Sequence, residues 1–165
     1  MRHAKAASAG AGQADRDRPL AERGHRDAAL VGRSLVDSPP DLILCSPSLR
    51  TMETMADVVA AFPGKVKTVV AESLYGGEPA DYLAAIAADG GSAARLLVIG
   101  HNPAIHETTM MLAREPDAKM RAKFPTAALA VLAFDIDDWS ALRPAKGKLV
   151  RFLRPKDLGA SDADD

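Results

Sequence analysis

At 165 residues, 47% hydrophobic and 26% charged, the chain has the size and apolar content of one ordinary globular domain, and a second large domain is not expected. Its 21 basic and 22 acidic side chains are well mixed and leave a formal net charge of -1. Bulk electrostatics therefore point to neither nucleic acid nor membrane as partner, and any anion site has to be local.

The single cysteine, Cys45, lies in an apolar run; it has no internal disulfide partner and reads as a small buried hydrophobe, not as a nucleophile. The start, Met1-Arg2-His3-Ala4-Lys5, has no apolar signal-peptide core, and no stretch approaches 18 apolar residues, so a cytoplasmic protein is expected. Residues 6–19 are small, charged and glycine-containing and read as a mobile loop. Leu20, Leu30, Leu35 and Val36 fall in a helical stretch that ends before Pro39-Pro40.

Asp41 to Cys45 is a short, continuously apolar run, the pattern of a strand covered on both faces in a parallel sheet. Ser46-Pro47 supplies an N-cap and a first-turn proline, and Leu49, Met52, Ala56 and Val59 recur at helical spacing up to Phe62-Pro63-Gly64. Lys65 to Val70 alternates as a strand, Pro79 to Ala88 is helix-like, and Arg95 to Ile99 is a second apolar strand broken by Gly100. Asn102-Pro103 repeats the cap-and-proline device ahead of a helix through Ile105, Thr109 and Leu112. Leu129–Ile136 and Lys148–Leu153 read as later strands. Residues 159–165 read as a disordered acidic tail, leaving 1–158 as the domain. Strands alternating with helices at this spacing predict an α/β architecture with helices on both faces of a mostly parallel sheet.

In such sheets ligands bind beyond the carboxyl ends of the strands. Two junctions there carry chemistry, Ser46-Pro47-Ser48-Leu49-Arg50 and Gly100-His101-Asn102-Pro103, and Arg2-His3 would join them if a strand preceded it. Each junction places a helix N-terminus at the sheet edge, where free N–H groups favour an anion. Arg50 and Arg2 add two planar forks suited to phosphate oxygens. His3 and His101 lack the spacing of a metal site, whereas a histidine can act as a phosphoryl acceptor if the equatorial oxygens are neutralised.

Four segments in this order, Arg2-His3-Ala4-Lys5, Asp17-Arg18-Pro19-Leu20 with Gly24, Ser46 to Arg50, and Gly100 to Pro103, resemble the histidine phosphatase superfamily. The likeness is greatest to its short SixA-like phosphohistidine phosphatase branch. The resemblance implies a three-layer α/β/α sandwich, no metal and no other cofactor, and a covalent phospho-His3 intermediate later hydrolysed by water. Arg2, Arg50 and His101 would then clamp the phosphoryl group. Glu72-Ser73-Leu74-Tyr75-Gly76 resembles the spacing of the proton donor in many relatives, with Glu78 as a rival, although the SixA-like branch often lacks an obvious match.

Arg18 is carried as a substrate-binding candidate from the loop, and Ser8 as a weaker one; exposed or packing roles are expected for His25 and His106. Met52, Met55, Met110 and Met111 read as core filler. No long insertion between the motifs is available to build a deep lid, so the expected substrate is a phosphorylated protein, for example a histidine-phosphotransfer domain. A small phosphate ester and a non-catalytic phosphate-binding module are the alternatives.

The chain departs from the pattern at its front. The family places a central strand immediately before the Arg-His pair, and here only Met1 precedes Arg2. Loss of that strand predicts a gap with unpaired backbone groups and unfilled core volume, costing several kcal/mol against a total stability of about 5 to 15 kcal/mol. The accompanying expectation is that the true start lies upstream.

Overall fold

The computed structural model describes residues 1–160. Its centre is β1, Leu42–Cys45, which pairs in parallel with β2, Lys67–Val70, on one side and with β3, Leu96–Ile99, on the other. All four β1 residues are buried, as the uninterrupted apolar run predicts for a strand covered on both faces.

Alternation along β1 and β3 divides the core in two. Ile43, Cys45, Leu97 and Ile99 pack with Ala28 and Val31 of α1 (Glu22–Arg33) and Val58 of α2 (Leu49–Val59). Leu42 and Leu44 face the other way, against Ala85 and Ile86 of α3 (Pro79–Asp89) and Ala104 and Ile105 of α4 (Ala104–Leu112). This is the expected α/β/α layering, and the parallel connections require the crossover helices that the sequence supplies. Within the core the Cys45 thiol is fully buried and desolvation pushes its pKa up to about 12, so it packs as an inert hydrophobe. Met52, Met55 and Met110 pack against the two cores, but Met111 is exposed and fills neither. Among the described residues no helix is long and apolar enough to cross a membrane.

Several local expectations change. The two late strands, β4 (Leu129–Ala133) and β5 (Lys148–Leu153), do not join the parallel sheet; they form their own antiparallel pair, with a register shift between Val131 and Leu132. A short α5, Ala118–Ala122, has too few residues to show a helical period. Residues 6–19 fold as a hydrogen-bonded loop. Ala7 N–H donates to the Pro19 carbonyl, Ala6 bridges Leu20, and Asp15–Asp17 forms a 3-10 turn. Gly159 is hydrogen-bonded too, closing the turn at Pro155–Leu158 with a left-handed φ of 89°, and Ala160 N–H donates to the Pro155 carbonyl. The rest of the expected acidic tail, 161–165, lies outside the described residues.

The front of the chain takes the place of the end of a strand. Arg2 forms a parallel bridge with Gly100; the Met1 amine donates to the Val98 carbonyl at 2.8 Å, and His3 N–H to the Gly100 carbonyl at 3.0 Å. On its other side Arg2 N–H donates to the Ala128 carbonyl, and Ala127 N–H to that of His3. Met1 to His3 thus lie between the end of β3 and the approach to β4. Away from this point the two strands are not paired to each other, and a cavity of about 240 Å³ lies between Leu96–Val98 and Leu129–Leu132 with Met1 at its end. The gap expected from the motif's position is therefore present, narrowed by three residues. Burial holds the terminal amine at about 5, well below its ordinary 8.0, because a charged amine is poorly solvated there.

Adding four alternating apolar residues ahead of Met1 is expected to fill this slot, pair the facing strand edges and remove the buried amine. The thermal midpoint should rise by roughly 5 °C, the scale of about 2 kcal/mol in a domain of this size. An unchanged midpoint would show that the slot does not accept a strand.

Candidate active site

Three chain segments end at one edge of the parallel sheet: Met1–His3, the turn after β1, and the turn after β3. The Arg2–Gly100 bridge sets the first and last side by side, so the His3 and His101 rings lie 5.2 Å apart, centre to centre.

His3 Nδ1 lies 2.7 Å from the Ala4 carbonyl oxygen. A carbonyl only accepts, so the ring proton sits on Nδ1 and Nε2 keeps its lone pair. Burial, joined by the charges of Arg50, Arg2 and Arg18, outweighs the hydrogen bond to Ala4 and lowers the ring's pKa from 6.5 to about 4. His3 is neutral at neutral pH, the form a nucleophile needs. Its segment is tied to the arginine helix: Ala4 N–H donates to Thr54 Oγ1 at 3.0 Å, and the Thr54 hydroxyl donates to the Arg50 carbonyl at 2.6 Å.

His101 is held from its backbone and through both ring nitrogens. Its N–H donates to the Tyr82 hydroxyl at 3.0 Å, which itself donates to the Leu74 carbonyl. Gly100 permits this approach, because a Cβ there would overlap the Tyr82 hydroxyl. His101 Nδ1 faces Arg50 Nη2 at 3.4 Å. A guanidinium only donates, so the His101 proton sits on Nε2 and is given to Ser46 Oγ at 2.8 Å. Burial first, then His3 and Arg50, lower its pKa to about 3 against the opposing charge of Asp15. A bound phosphoryl dianion would raise both histidine pKa values by adding an opposite charge.

The two helix starts differ from the predicted caps. Ser46 N–H still donates to the Ile99 carbonyl and extends the sheet, so α2 begins only at Leu49, with Ser48 in the cap position. That leaves the Ser46 hydroxyl for His101. Asn102 also does not cap; its Nδ2 donates to the Phe124 carbonyl at 2.9 Å, and α4 begins after Pro103.

Arg50, in the first turn of α2, is almost wholly buried. Its Nη1 donates to the Asp15 carbonyl at 2.6 Å and its Nη2 to Asp15 Oδ2 at 2.9 Å. Arg2 donates through Nη1 to the Phe124 carbonyl at 3.1 Å, while its buried Nε has no hydrogen-bond partner among the described residues. Arg18 is anchored through Nε and Nη2 to the Ala7 carbonyl and through Nη1 to Asp15 Oδ1; its charge reaches His3, but its hydrogen bonds stay within the loop.

His3, Arg2, Arg50 and His101 are therefore brought together, whereas Glu72 is not. Both carboxylate oxygens of Glu72 accept from Arg16 Nη2, at 2.9 and 3.0 Å, and its side chain is 71% exposed. Glu78 stands at the N-cap position of α3, its N–H donating to Asp81. Ser8, the weaker loop candidate, is exposed; His25 pairs with Asp57 on the surface, and His106 bonds the Met120 carbonyl and stacks on Phe124, the exposed and packing roles expected of these two histidines.

Ser46, Thr54, Tyr75, Tyr82 and Asp15 are site residues the sequence reading did not single out. Thr54 had a signal, since it lies four residues after Arg50 on the same helix face. Asp15, Tyr75 and Tyr82 reach the site only through tertiary packing. Among the described residues no three His, Cys, Asp or Glu side chains are grouped to hold a metal ion.

A family model, the histidine phosphatase superfamily (branch 1), matches residues 1–74. An uncharacterized protein of Mycobacterium tuberculosis is 37% identical over 164 residues, spanning 94% of this chain and 100% of that protein. Among solved structures, a protein of Nakamurella multipartitia assigned as the phosphohistidine phosphatase SixA superposes with a TM-score of 0.82 at 31% identity, covering 94% of this chain and 93% of that one. The protein histidine phosphatase SixA complexed with tungstate gives 0.77 at 25% identity, covering 96% of each chain.

The depressed histidine pKa values set a stability window. The unfolded chain takes up protons near pH 6.5, while the folded site resists them down to about 4 at His3 and about 3 at His101. Their contribution is complete above pH 6.5 and is lost as pH falls through that window, by up to about 1.4 kcal/mol per pH unit for each ring. Urea unfolding followed from pH 7 downward should show a steeper acid loss in wild type than in His3→Gln. Equal slopes would contradict the assigned neutral state.

Proposed function

This chain belongs to the histidine phosphatase superfamily, and on that basis we propose that it is a phosphohistidine phosphatase acting through a covalent phospho-His3 intermediate. The observation that carries the reading is the fixed tautomer of His3, with its lone pair at Nε2 beside the Arg50 and His101 cluster. Nε2 attacks phosphorus in line, a His3–phosphorus bond forms, and the bond to the leaving group breaks. The Nδ1–H bond to Ala4 stabilises the positive charge that develops on the ring. Arg2 and Arg50 bind the phosphoryl oxygens, and His101 donates to a third once the phosphoryl charge has raised its pKa. Water then attacks the phosphorus of phospho-His3, releasing inorganic phosphate and neutral His3. The guanidinium and imidazole N–H groups supply the charge stabilisation, and no step calls on a metal ion or other cofactor.

The substrate we favour is a phosphorylated protein, of which a histidine-phosphotransfer domain is one form. The likeness to SixA proteins supports it, as does a rim of exposed loop residues, Asp15, Arg16 and Glu72. The ester reading loses its main support where Glu72 is held by Arg16, because an alkoxide leaving group needs a proton donor at the reacting oxygen. Arg18 acts in this scheme by holding the loop and contributing positive charge.

Wild-type protein incubated with a labelled phosphorylated histidine-phosphotransfer protein should acquire an acid-labile label and release phosphate. His3→Ala should lose the label and about 10³-fold or more of the turnover, and Arg50→Ala about 10²-fold. Turnover surviving in His3→Ala would refute the nucleophile.

A further inference from the structure

The carboxylate that the fold brings to the phosphoryl clamp is Asp15. Its Oδ2 accepts from Arg50 Nη2 at 2.9 Å and from the Tyr75 hydroxyl at 3.1 Å, and its Oδ1 accepts from Arg18 Nη1 at 3.0 Å. The Tyr75 ring in turn stands edge-on to His101, 5.6 Å between centres. These bonds fix the carboxylate on the outer side of Arg50, yet the Asp15 side chain is 55% exposed, so one face of it meets whatever enters the site from solvent. Its hydrogen bonds to Arg50, Arg18 and Tyr75 outweigh desolvation and keep its pKa below the ordinary carboxylate value.

A permanent anion at this place treats two kinds of leaving group differently. An oxygen leaving group gathers negative charge as its bond to phosphorus breaks; an ionised carboxylate cannot give it a proton and repels it. A phosphorylated imidazole is different. Its P–N bond is labile when the second ring nitrogen is protonated, and that N–H is a charged donor for which a carboxylate is the natural acceptor.

Building on the phosphohistidine phosphatase reading, we infer that Asp15 is a specificity-determining residue. Its carboxylate accepts the ring N–H of the departing phosphohistidine and disfavours oxygen esters. The step balances. The His3 Nε2 lone pair forms the new bond to phosphorus, and the electron pair of the old P–N bond returns to the departing ring nitrogen. The proton stays on that ring's other nitrogen, against Asp15, and the ring leaves as neutral imidazole. Arg50 is still bonded to the Asp15 main-chain carbonyl, so changing the carboxylate leaves one of its anchors in place.

The test compares kcat/KM of wild type, Asp15→Asn and Asp15→Glu on a histidine peptide phosphorylated with phosphoramidate and on an aryl phosphate. In Asp15→Asn the ratio of the two, peptide over aryl phosphate, should fall about tenfold, the scale of one lost charged hydrogen bond, and Asp15→Glu should recover part of it. A purely structural role would lower both rates together. Asp15→Ser serves in place of Asp15→Asn if the amide variant does not fold. A fall in the ratio of more than threefold supports the inference, and a ratio within threefold of wild type overturns it. Absence of peptide turnover already in wild type overturns the phosphohistidine reading, and this inference with it.

Discussion

The site depends on one short piece of backbone pairing. Arg2 bridges Gly100, with Met1, His3, Ala127 and Ala128 completing the bonds on either side, and this pairing holds residues 1–3 in place beside β3. A residue three positions from a chain end would ordinarily fray. Here the peptide groups of residues 1–3 are bonded to two different elements, so His3 is as fixed as a residue inside a sheet. The same pairing sets His3 next to His101, because both follow the pleat of adjacent strand ends.

The electrostatics follow from that placement. Two arginines and two imidazoles share a small, largely buried volume, and the mutual repulsion together with burial keeps both rings neutral. Each ring proton is then located by what faces it: the Ala4 carbonyl demands a donor at His3 Nδ1, and the Arg50 guanidinium demands an acceptor at His101 Nδ1. Backbone and arginine contacts fix the tautomers, and among the described residues no carboxylate is bonded to either ring. Thr54 links the two halves, receiving the Ala4 N–H and giving its own proton to the Arg50 carbonyl, so the His3 segment and the Arg50 turn are hydrogen-bonded through one side chain.

Asp15 is the counterweight. It relieves part of the positive charge on Arg50 and brings the loop before α1 against the site. A loop rich in alanine, glycine and aspartate would be mobile alone; it is ordered because Arg50 and Arg18 each find an acceptor in it. Arg50 and the loop therefore hold each other in place.

The sequence by itself determined the strands, the longer helices and the grouping of His3, Arg2, Arg50 and His101 at one sheet edge. Continuous apolar runs, helical spacing and the residues that follow each run are local properties that survive without knowledge of the partner elements. Only the tertiary structure decided what each side chain touches. Ser46 and Asn102 read as helix caps, but Ser46 N–H is already committed to the Ile99 carbonyl and the Asn102 amide to that of Phe124, so both helices start later and Ser46 becomes a partner of His101. Glu72 matched a spacing, yet Arg16, 56 residues away in the chain, takes its carboxylate, while Asp15, with no motif to mark it, is placed on Arg50. Charged side chains choose among partners that are distant in sequence and close in space, and no local pattern encodes that choice.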